Sequence, residues 1–398
     1  MTSTDALLDE PAGPVRIAPP AMIGILGGGR RSRYFVMAAR AMGYGVTVVD
    51  PDPQAPAGTV ADVHLVAALD DSAALDRVAT SCAVLTTEVE TVAPAALEAI
   101  AHRTILRPEP AALRICQDRI SEKQFLADLG VPLTGWLPLV TEADLAVASD
   151  KATSVPFPAL LKMATPLHEG QKQVLIARFD QVEQAWDDIG RVPCVLEQKL
   201  RVGRELSVIL ARTADGRTAC YPVAQNLFVK GVIDTTHVPA SLPTDGQEQA
   251  EQLCTYIAEE LGFVGVMAVE LFVVGRSVFV NEISPHPHDS GHFTLDAAVT
   301  SQYEQQVRAV CGLGLGSPAM STPGAAMVHL LAELWVKGEP EWSVVLDEPE
   351  AHLHLYRSTE PEPGPRVRMG HLTVGSHSAL AAASLARRLR TRITPRKG

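Results

Sequence analysis

Chemistry concentrates in the run from Val264 to His292, VGVMAVELFVVGRSVFVNEISPHPHDSGH. Two β-rich segments, each carrying one acid, flank Gly275-Arg276-Ser277, and the second leads into a loop of His, Pro and Gly. A three-residue hairpin across that turn sets Glu270 opposite Glu282, so both carboxylates share one face. With Asn281 they make a hard oxygen donor set suited to Mg²⁺, which takes one or two carboxylates and completes its shell with phosphate oxygens and water. The segments are otherwise apolar (Met267, Val269, Leu271, Phe279, Val280, Ile283). Two acids facing each other there repel unless a cation lies between them. A solvated hairpin face is the plain alternative.

Other motifs carry weaker chemistry. His286, His288 and His292, joined by His168, suit zinc by residue type; hydrogen-bonded structural histidines explain them equally. His352 and His354 alternate along one predicted strand and His371 lies in another, where packing or carbonyl bonds account for them. Trp335, Trp342 and Met369 read as core. Gly27-Gly28-Gly29-Arg30-Arg31-Ser32 follows a predicted strand and opens a helix, and Asp50 ends the next strand. That is nearly a dinucleotide fingerprint, but Ser32 stands where close helix–strand packing calls for a third glycine. A helix N-terminus flanked by Arg30, Arg31 and Arg33 still favours a phosphate or a carboxylate.

The elements that must position these groups fall into three units. Short strands at Met22–Leu26, 46–49, 64–66, 83–86 and 104–106 alternate with helices near 31–42, 73–79 and 94–102, the pattern of a parallel, doubly wound α/β sheet. A helical connector spans 110–129 and stops at Gly130. From there the pattern is α+β, with strands near 159–162, Cys194–Gln198, 205–211 and 218–223 and a helix at 247–261 before the hairpin. A third, β-like unit holds 326–331, 352–355 and 371–374, interrupted by the Pro-rich 360–365. These readings divide the chain into a disordered tail (1–21), an α/β domain (22–110), a central domain (111–318), a small β-rich domain (319–378) and a basic tail (379–398) that reads as a frayed helix.

Bulk properties bound the function. The 398 residues are 46% hydrophobic, enough for several cores. A net charge of -12 argues against nucleic acid or an anionic membrane as partner. Six cysteines without CxxC spacing fit buried thiols of a reducing cytoplasm. No run is long and apolar enough to span a bilayer, and the first 20 residues lack signal-peptide character. The expectation is a cytoplasmic protein.

Taken together, GILGGG, VVDPDP, the 108–119 segment ending IxQDR, EKQFL, RELSVI, VGVMAVELFV, the NEI…PH…SGH loop, TSQxEQ…RAVCGL, HLHLY and MGHLTV resemble the 5-(carboxyamino)imidazole ribonucleotide synthase family of purine biosynthesis. The resemblance covers about residues 22–375. It implies an ATP-grasp fold with an N-terminal Rossmann-like (preATP-grasp) domain and a small C-terminal β-rich domain, and a carbon–nitrogen ligase using ATP, Mg²⁺ and bicarbonate. In that family bicarbonate becomes carboxyphosphate and an amine, aminoimidazole ribonucleotide, is N-carboxylated. The resemblance also implies a homodimer. Glu270 and Glu282, with Asn281, then match the Mg²⁺ and ATP ligands. Lys123 and Lys162 match lysines facing the nucleotide, Glu197 the start of the adenine linker, and Glu205 the ribose acid. Gly28, Gly29, Arg30, Arg31, Glu88, Ser290, Gly291 and His292 fall on the substrate side, with Glu90 beside them. His286, His288 and Arg368 fall at the catalytic positions.

The chain departs from that family on the phosphate and substrate side. The Gly-rich phosphate lid stands here as 166–173, ending in Gln173, with one glycine and a displaced Lys172. Arg30-Arg31-Ser32-Arg33 replaces Gln-Leu-Gly-Arg, His286 an arginine, Arg368 a lysine and Phe228 a histidine. Arg, Lys and His differ in reach and pKa. The departures open two further readings: a paralogue acting on another amine in a specialised pathway, and a non-catalytic nucleotide-binding relative.

Overall fold

In the computed structural model, which describes residues 15–149, 155–165, 173–229, 231–356, 364 and 367–393, the early strands form a five-stranded, wholly parallel sheet. Its order is Val63–Val66, Gly45–Asp50, Met22–Leu26, Val84–Thr87, Ile105–Leu106. Apolar clusters cover both faces, which is why the strands read as unbroken hydrophobic runs. Strand order reverses around Met22–Leu26, the position where sheets of this topology place ligands at the carboxyl ends of their strands. Gly27 turns the chain at φ +89°. Gly28 lies so near Asp50 that a Cβ would sit 2.9 Å from that side chain.

The expected connector is two helices, Pro110–Cys116 and Arg119–Asp128. Asp118 breaks them apart because its carboxylate caps the second, accepting from Ser121 N at 2.8 Å. Gly130 ends that helix at φ +68°. Beyond it, Trp136–Leu139, Cys194–Gln198, Ala159–Met163 and Gln173–Ile176 make a four-stranded antiparallel sheet.

The nine-stranded antiparallel sheet runs Ser277–Ser284, Gly265–Val274, Arg204–Arg212, Ala224–Val229, Val232–Val238, Gly324–Leu331, Arg368–Ser376, Ala351–Leu355, with Thr218–Cys220 pairing Arg204–Arg212. The expected break between a central and a β-rich domain at 318/319 is therefore not a break in the sheet. Val232–Val238 pairs directly with Gly324–Leu331. Ala224–Val229 and Val232–Val238 were unmarked in the sequence because Asn226, Asp234, Thr235 and Thr236 hide their alternation.

Both expected tails need correction. Residues 1–14 lie outside the described residues, but Ile17 is buried; its N–H donates to Cys311 O at 2.8 Å and its carbonyl accepts from the Tyr44 hydroxyl at 2.7 Å. The basic segment after 378 is the helix Ala379–Ile393, whose Ala382, Ala383, Ala386, Leu389 and Ile393 pack into a core with Val328, Leu330, Leu372 and Val374. Three- and four-residue spacing makes that apolar stripe; Arg387, Arg388 and Arg392 are exposed, while Arg390 reaches back to Asp234 on the sheet at 2.8 Å. Among the described residues no helix is long and apolar enough to cross a membrane. The six cysteines are free thiols.

Leu389→Ala should cost about 2–5 kcal/mol in urea unfolding, as expected for an emptied core site. Arg388→Ala, on the exposed face, should change stability by no more than about 0.5 kcal/mol.

Candidate active site

The acidic hairpin turns on two residues, not three: Val274 pairs with Ser277, and Gly275 takes φ +61°. Carried straight down the ladder, that register would set Glu270 opposite Asn281 and send Glu282 to the other face. A register shift at Glu270/Leu271 prevents this. Leu271 pairs with Val280 and Glu270 with Glu282, leaving Asn281 as the extra residue of a β-bulge. The same face continues across the sheet. Glu270 pairs with Ser207 and Glu205 with Asn226, whose Nδ2 donates to Ser207 Oγ at 2.6 Å.

The repulsion between the two acids is offset in part from within the chain. Arg119, absent from the sequence reading, places Nη1 2.8 Å from Glu282 Oε2. Burial pushes the Glu282 carboxyl up, but Arg119 outweighs it and holds it below the usual range. Burial and the neighbouring Glu282 push Glu270 the other way, upward. Asn281 Nδ2 donates to Glu270 Oε2 at 3.2 Å. The donor set still fits Mg²⁺. Two carboxylates converge with Asn281 Oδ1, a buried oxygen without a hydrogen-bond partner among the described residues.

Lys162 and Lys123 do different jobs. Both ammonium groups bind Glu197, at 2.7 and 2.8 Å, and Thr134 Oγ1 donates to the same carboxylate at 2.6 Å. Lys123 is 2% exposed and its Nζ also donates to Asn281 O at 3.0 Å. Its charge is thus absorbed behind the hairpin rather than turned to a nucleotide. Glu197 is buried, 2% exposed, as the shared counter-ion of the two lysines. Burial pushes its carboxyl up, yet Lys162 and Lys123 bring it down to about 2. Lys162 remains partly open, and its charge reaches Glu282 and Glu205. Gln173 lies opposite it in the ladder, exposed. The rest of the phosphate lid, 166–172 with His168, lies outside the described residues.

Among the described residues, His286, His288 and His292 do not converge as one ligand set. His286 Nε2 meets Glu90 Oε1 at 3.1 Å. His288 Nδ1 accepts from Ser290 N at 3.3 Å, which puts the ring proton on Nε2, facing Glu270 Oε1 at 3.4 Å. Burial lowers His288 to about 4, so it is neutral at pH 7. His292 is fully buried against the Tyr303 hydroxyl at 2.9 Å. Ser290 and Gly291 are also internal, and a Cβ on Gly291 would sit 2.4 Å from Gln302 Oε1. These three residues shape the loop rather than offer open substrate contacts.

The residue of the loop missed in the sequence is Asp289. Its Oδ2 takes Arg30 Nη2 at 2.9 Å and Arg368 Nη1 at 3.0 Å. Three units meet at that carboxylate, which long-range pairing hides from any local pattern. Arg31 Nη2 donates to Glu88 O at 3.0 Å. The Glu88 side chain is 1% exposed, has no hydrogen-bond partner among the described residues, and is raised by burial to about 8. Gly29 is exposed, and Gly28 N donates to Asp50 Oδ2 at 2.6 Å. Asp50 thus serves the glycine loop itself, a second reason besides Ser32 against a dinucleotide site.

Glu197→Gln should lose about 3–5 kcal/mol, because buried Lys123 and half-buried Lys162 keep their charge without a counter-ion. The sign with pH follows from a carboxyl held at about 2 against an ordinary 4.5. Its stabilisation is complete above pH 4.5 and disappears as pH falls toward 2. Urea midpoints across that window should therefore drop more steeply for the parent chain than for the variant.

Two family models match: the ribonucleotide synthetase preATP-grasp domain over residues 21–117 and the ATP-grasp domain over 124–303. N5-carboxyaminoimidazole ribonucleotide synthase of Bacillus subtilis is 35% identical over 362 residues, 90% of this chain and 92% of the relative. The Synechococcus elongatus enzyme of that name is 34% identical over 90% of this chain and 91% of its own. The chain also matches the bifunctional purine synthesis protein purC/E of Dictyostelium discoideum, spanning 37% of its length at 34% identity. Among solved structures, the Thermus thermophilus synthetase superposes with a TM-score of 0.84 at 33% identity, covering 94% of this chain and 99% of that one. An Aspergillus clavatus synthase in complex with ADP and 5-aminoimidazole ribonucleotide gives 0.83 at 25% identity, covering 94% and 98%. With its acidic ATP-grasp hairpin and its glycine loop matched along nearly its whole length, the chain belongs to the N5-carboxyaminoimidazole ribonucleotide synthase family of ATP-dependent carbon–nitrogen ligases.

Proposed function

We propose that this chain uses Mg·ATP and bicarbonate to N-carboxylate a small-molecule amine by way of carboxyphosphate, with 5-aminoimidazole ribonucleotide as the acceptor. The observation that carries the reading is the Glu270–Glu282 pair, set side by side by the bulge at Asn281 and approached by Lys162. Glu270, Glu282 and Asn281 would hold Mg²⁺, which when bound neutralises phosphate charge. Lys162, oriented by Glu197, supplies a point charge toward the phosphates. Glu205, on the same face, is placed for the ribose.

Carboxyphosphate is short-lived in water, so the acceptor amine must be held beside it in a dry site. The glycine loop at Gly28 and Gly29, with Arg30 and Arg31 opening the following helix, would receive the acceptor. His288 stands between this side and Glu270, neutral and with its Nε2 proton fixed. It is suited to donate a hydrogen bond to a developing carboxylate and to pass a proton on. Arg368 and Arg30 secure Asp289 next to it, so their role is to position the loop. A cytoplasmic homodimer goes with this reading on resemblance alone.

One observation favours a second reading, an acceptor other than aminoimidazole ribonucleotide. Two of the departures, Arg30 and Arg368, converge on one carboxylate, and a third, His286, binds Glu90. The substitutions thus re-wire the acceptor side together, while the acidic pair and Lys162 are intact.

Phosphate release from ATP should require bicarbonate and rise on adding aminoimidazole ribonucleotide. Replacing both Glu270 and Glu282 by Ala should slow it about 100-fold or more. Release that responds instead to another amine would establish the second reading. ATP binding with no turnover on any amine would overturn both in favour of a non-catalytic relative.

A further inference from the structure

Outside the nucleotide face the fold assembles a second set of ligand-type side chains. His352 and His354 alternate along Ala351–Leu355 and so project from one face of the sheet. His371, on the neighbouring antiparallel strand, is the direct register partner of His354. Two imidazoles from one strand and a third from the next therefore share a patch of about one pleat. Asp296, on the short helix Thr294–Ala297, closes over them from the hairpin side of the molecule. Its carboxylate lies 2.9 and 3.1 Å from His354 Nε2 and 3.8 Å from His352 Nδ1. One donor atom each from Asp296, His354 and His371 lies within 4.8 Å of the others.

Burial grades across the set in the manner of an entry path. His371 is fully buried, Asp296 and His354 are 11% and 22% exposed, and His352 is 52% exposed. Hydrogen bonding at the His371 ring leaves one nitrogen unpartnered among the described residues. Its Nδ1 is 2.5 Å from the Tyr356 hydroxyl, while Nε2 is buried with no hydrogen-bond partner among the described residues. An outer partner on one ring nitrogen and an open lone pair on the other is the arrangement that fixes a metal-binding tautomer. Packing alone leaves that Nε2 unexplained.

We propose that Asp296, His352, His354 and His371 bind one divalent ion of the Zn²⁺ class, at a site separate from the Mg·ATP face. Three imidazoles and one carboxylate suit Zn²⁺ or Co²⁺ and are poor for Mg²⁺, which prefers oxygen alone. The His354 and His371 rings stack at 4.4 Å with 9° between planes. Binding turns them toward a common point, exchanging the stack and the His354–Asp296 contact for bonds to the ion. The ion would join the strands of the last unit to the helical turn that follows the His288–His292 loop. It stabilises the loop's position without touching the reacting groups.

The test uses the full chain, stripped with chelator and then given Zn²⁺ or Co²⁺ in excess Mg²⁺. One equivalent should bind, Co²⁺ should show the visible absorption of four-coordinate ions, and the melting temperature should rise with Zn²⁺ but not with Mg²⁺. His354→Ala or Asp296→Asn should abolish binding, and Tyr356→Phe should weaken it about tenfold. His352→Ala, at an exposed position that leaves the fold undisturbed, should weaken it as well. Glu270→Ala with Glu282→Ala should leave it intact, so this result stands apart from the fate of the carboxylation reading. No uptake by the folded chain, or uptake by the His354→Ala variant equal to that of the parent chain, would overturn the site and leave an ordinary His354–Asp296 ion pair.

Discussion

One extra residue in the strand Ser277–Ser284 decides what this molecule can do. Side chains alternate along a strand, so a ladder that slips by one residue sends every group to the opposite face. Here the tight turn at Gly275 and Arg276 sets one register and the bulge at Asn281 sets the next. The result is two carboxylates abreast on a face that also presents Ser207 and Glu205. Behind the bulge, the Asn281 carbonyl is bound by Lys123, itself held by Glu197. The irregularity is therefore braced from the inside, as expected of a feature that aims functional groups.

Charge around this face is divided rather than accumulated. Glu282, Glu197 and Asp289 each have a cationic partner within 3 Å and remain ionised despite burial. Among the described residues Glu270, Glu88 and Glu122 have no cation that close, and burial raises all three. In a low-dielectric interior an unpartnered carboxylate takes up a proton instead of remaining charged. The face thus sets acids held below the usual carboxylate range beside acids pushed above it.

The departures from the family pattern acquire a physical meaning only through their contacts. Arg30 and Arg368 stand 338 positions apart in the numbering, yet bind one carboxylate. Arg forms directed, planar hydrogen bonds that Lys and Gln cannot reproduce, so the exchange stiffens the junction of the glycine loop, the His288–His292 loop and the last strands.

Much of the architecture was legible in the chain itself. Alternating apolar strands and helices up to residue 106 and the acidic hairpin are local signals, written in neighbouring residues. The facing of Glu270 and Glu282 was also legible, though through a three-residue turn that the fold replaces by a shorter turn and a bulge. Strands 224–229 and 232–238 were not, since their polar positions face the functional stripe and erase the period-two pattern. Nor were the roles of Lys123, Glu197, Asp289 and Arg119, nor the convergence of Asp296 with His352, His354 and His371. Each depends on groups tens to hundreds of residues apart brought to hydrogen-bond distance. Residue type and spacing determined which chemistries were open; only burial and long-range pairing decided which groups keep a charge, which keep a proton and which face an open cleft.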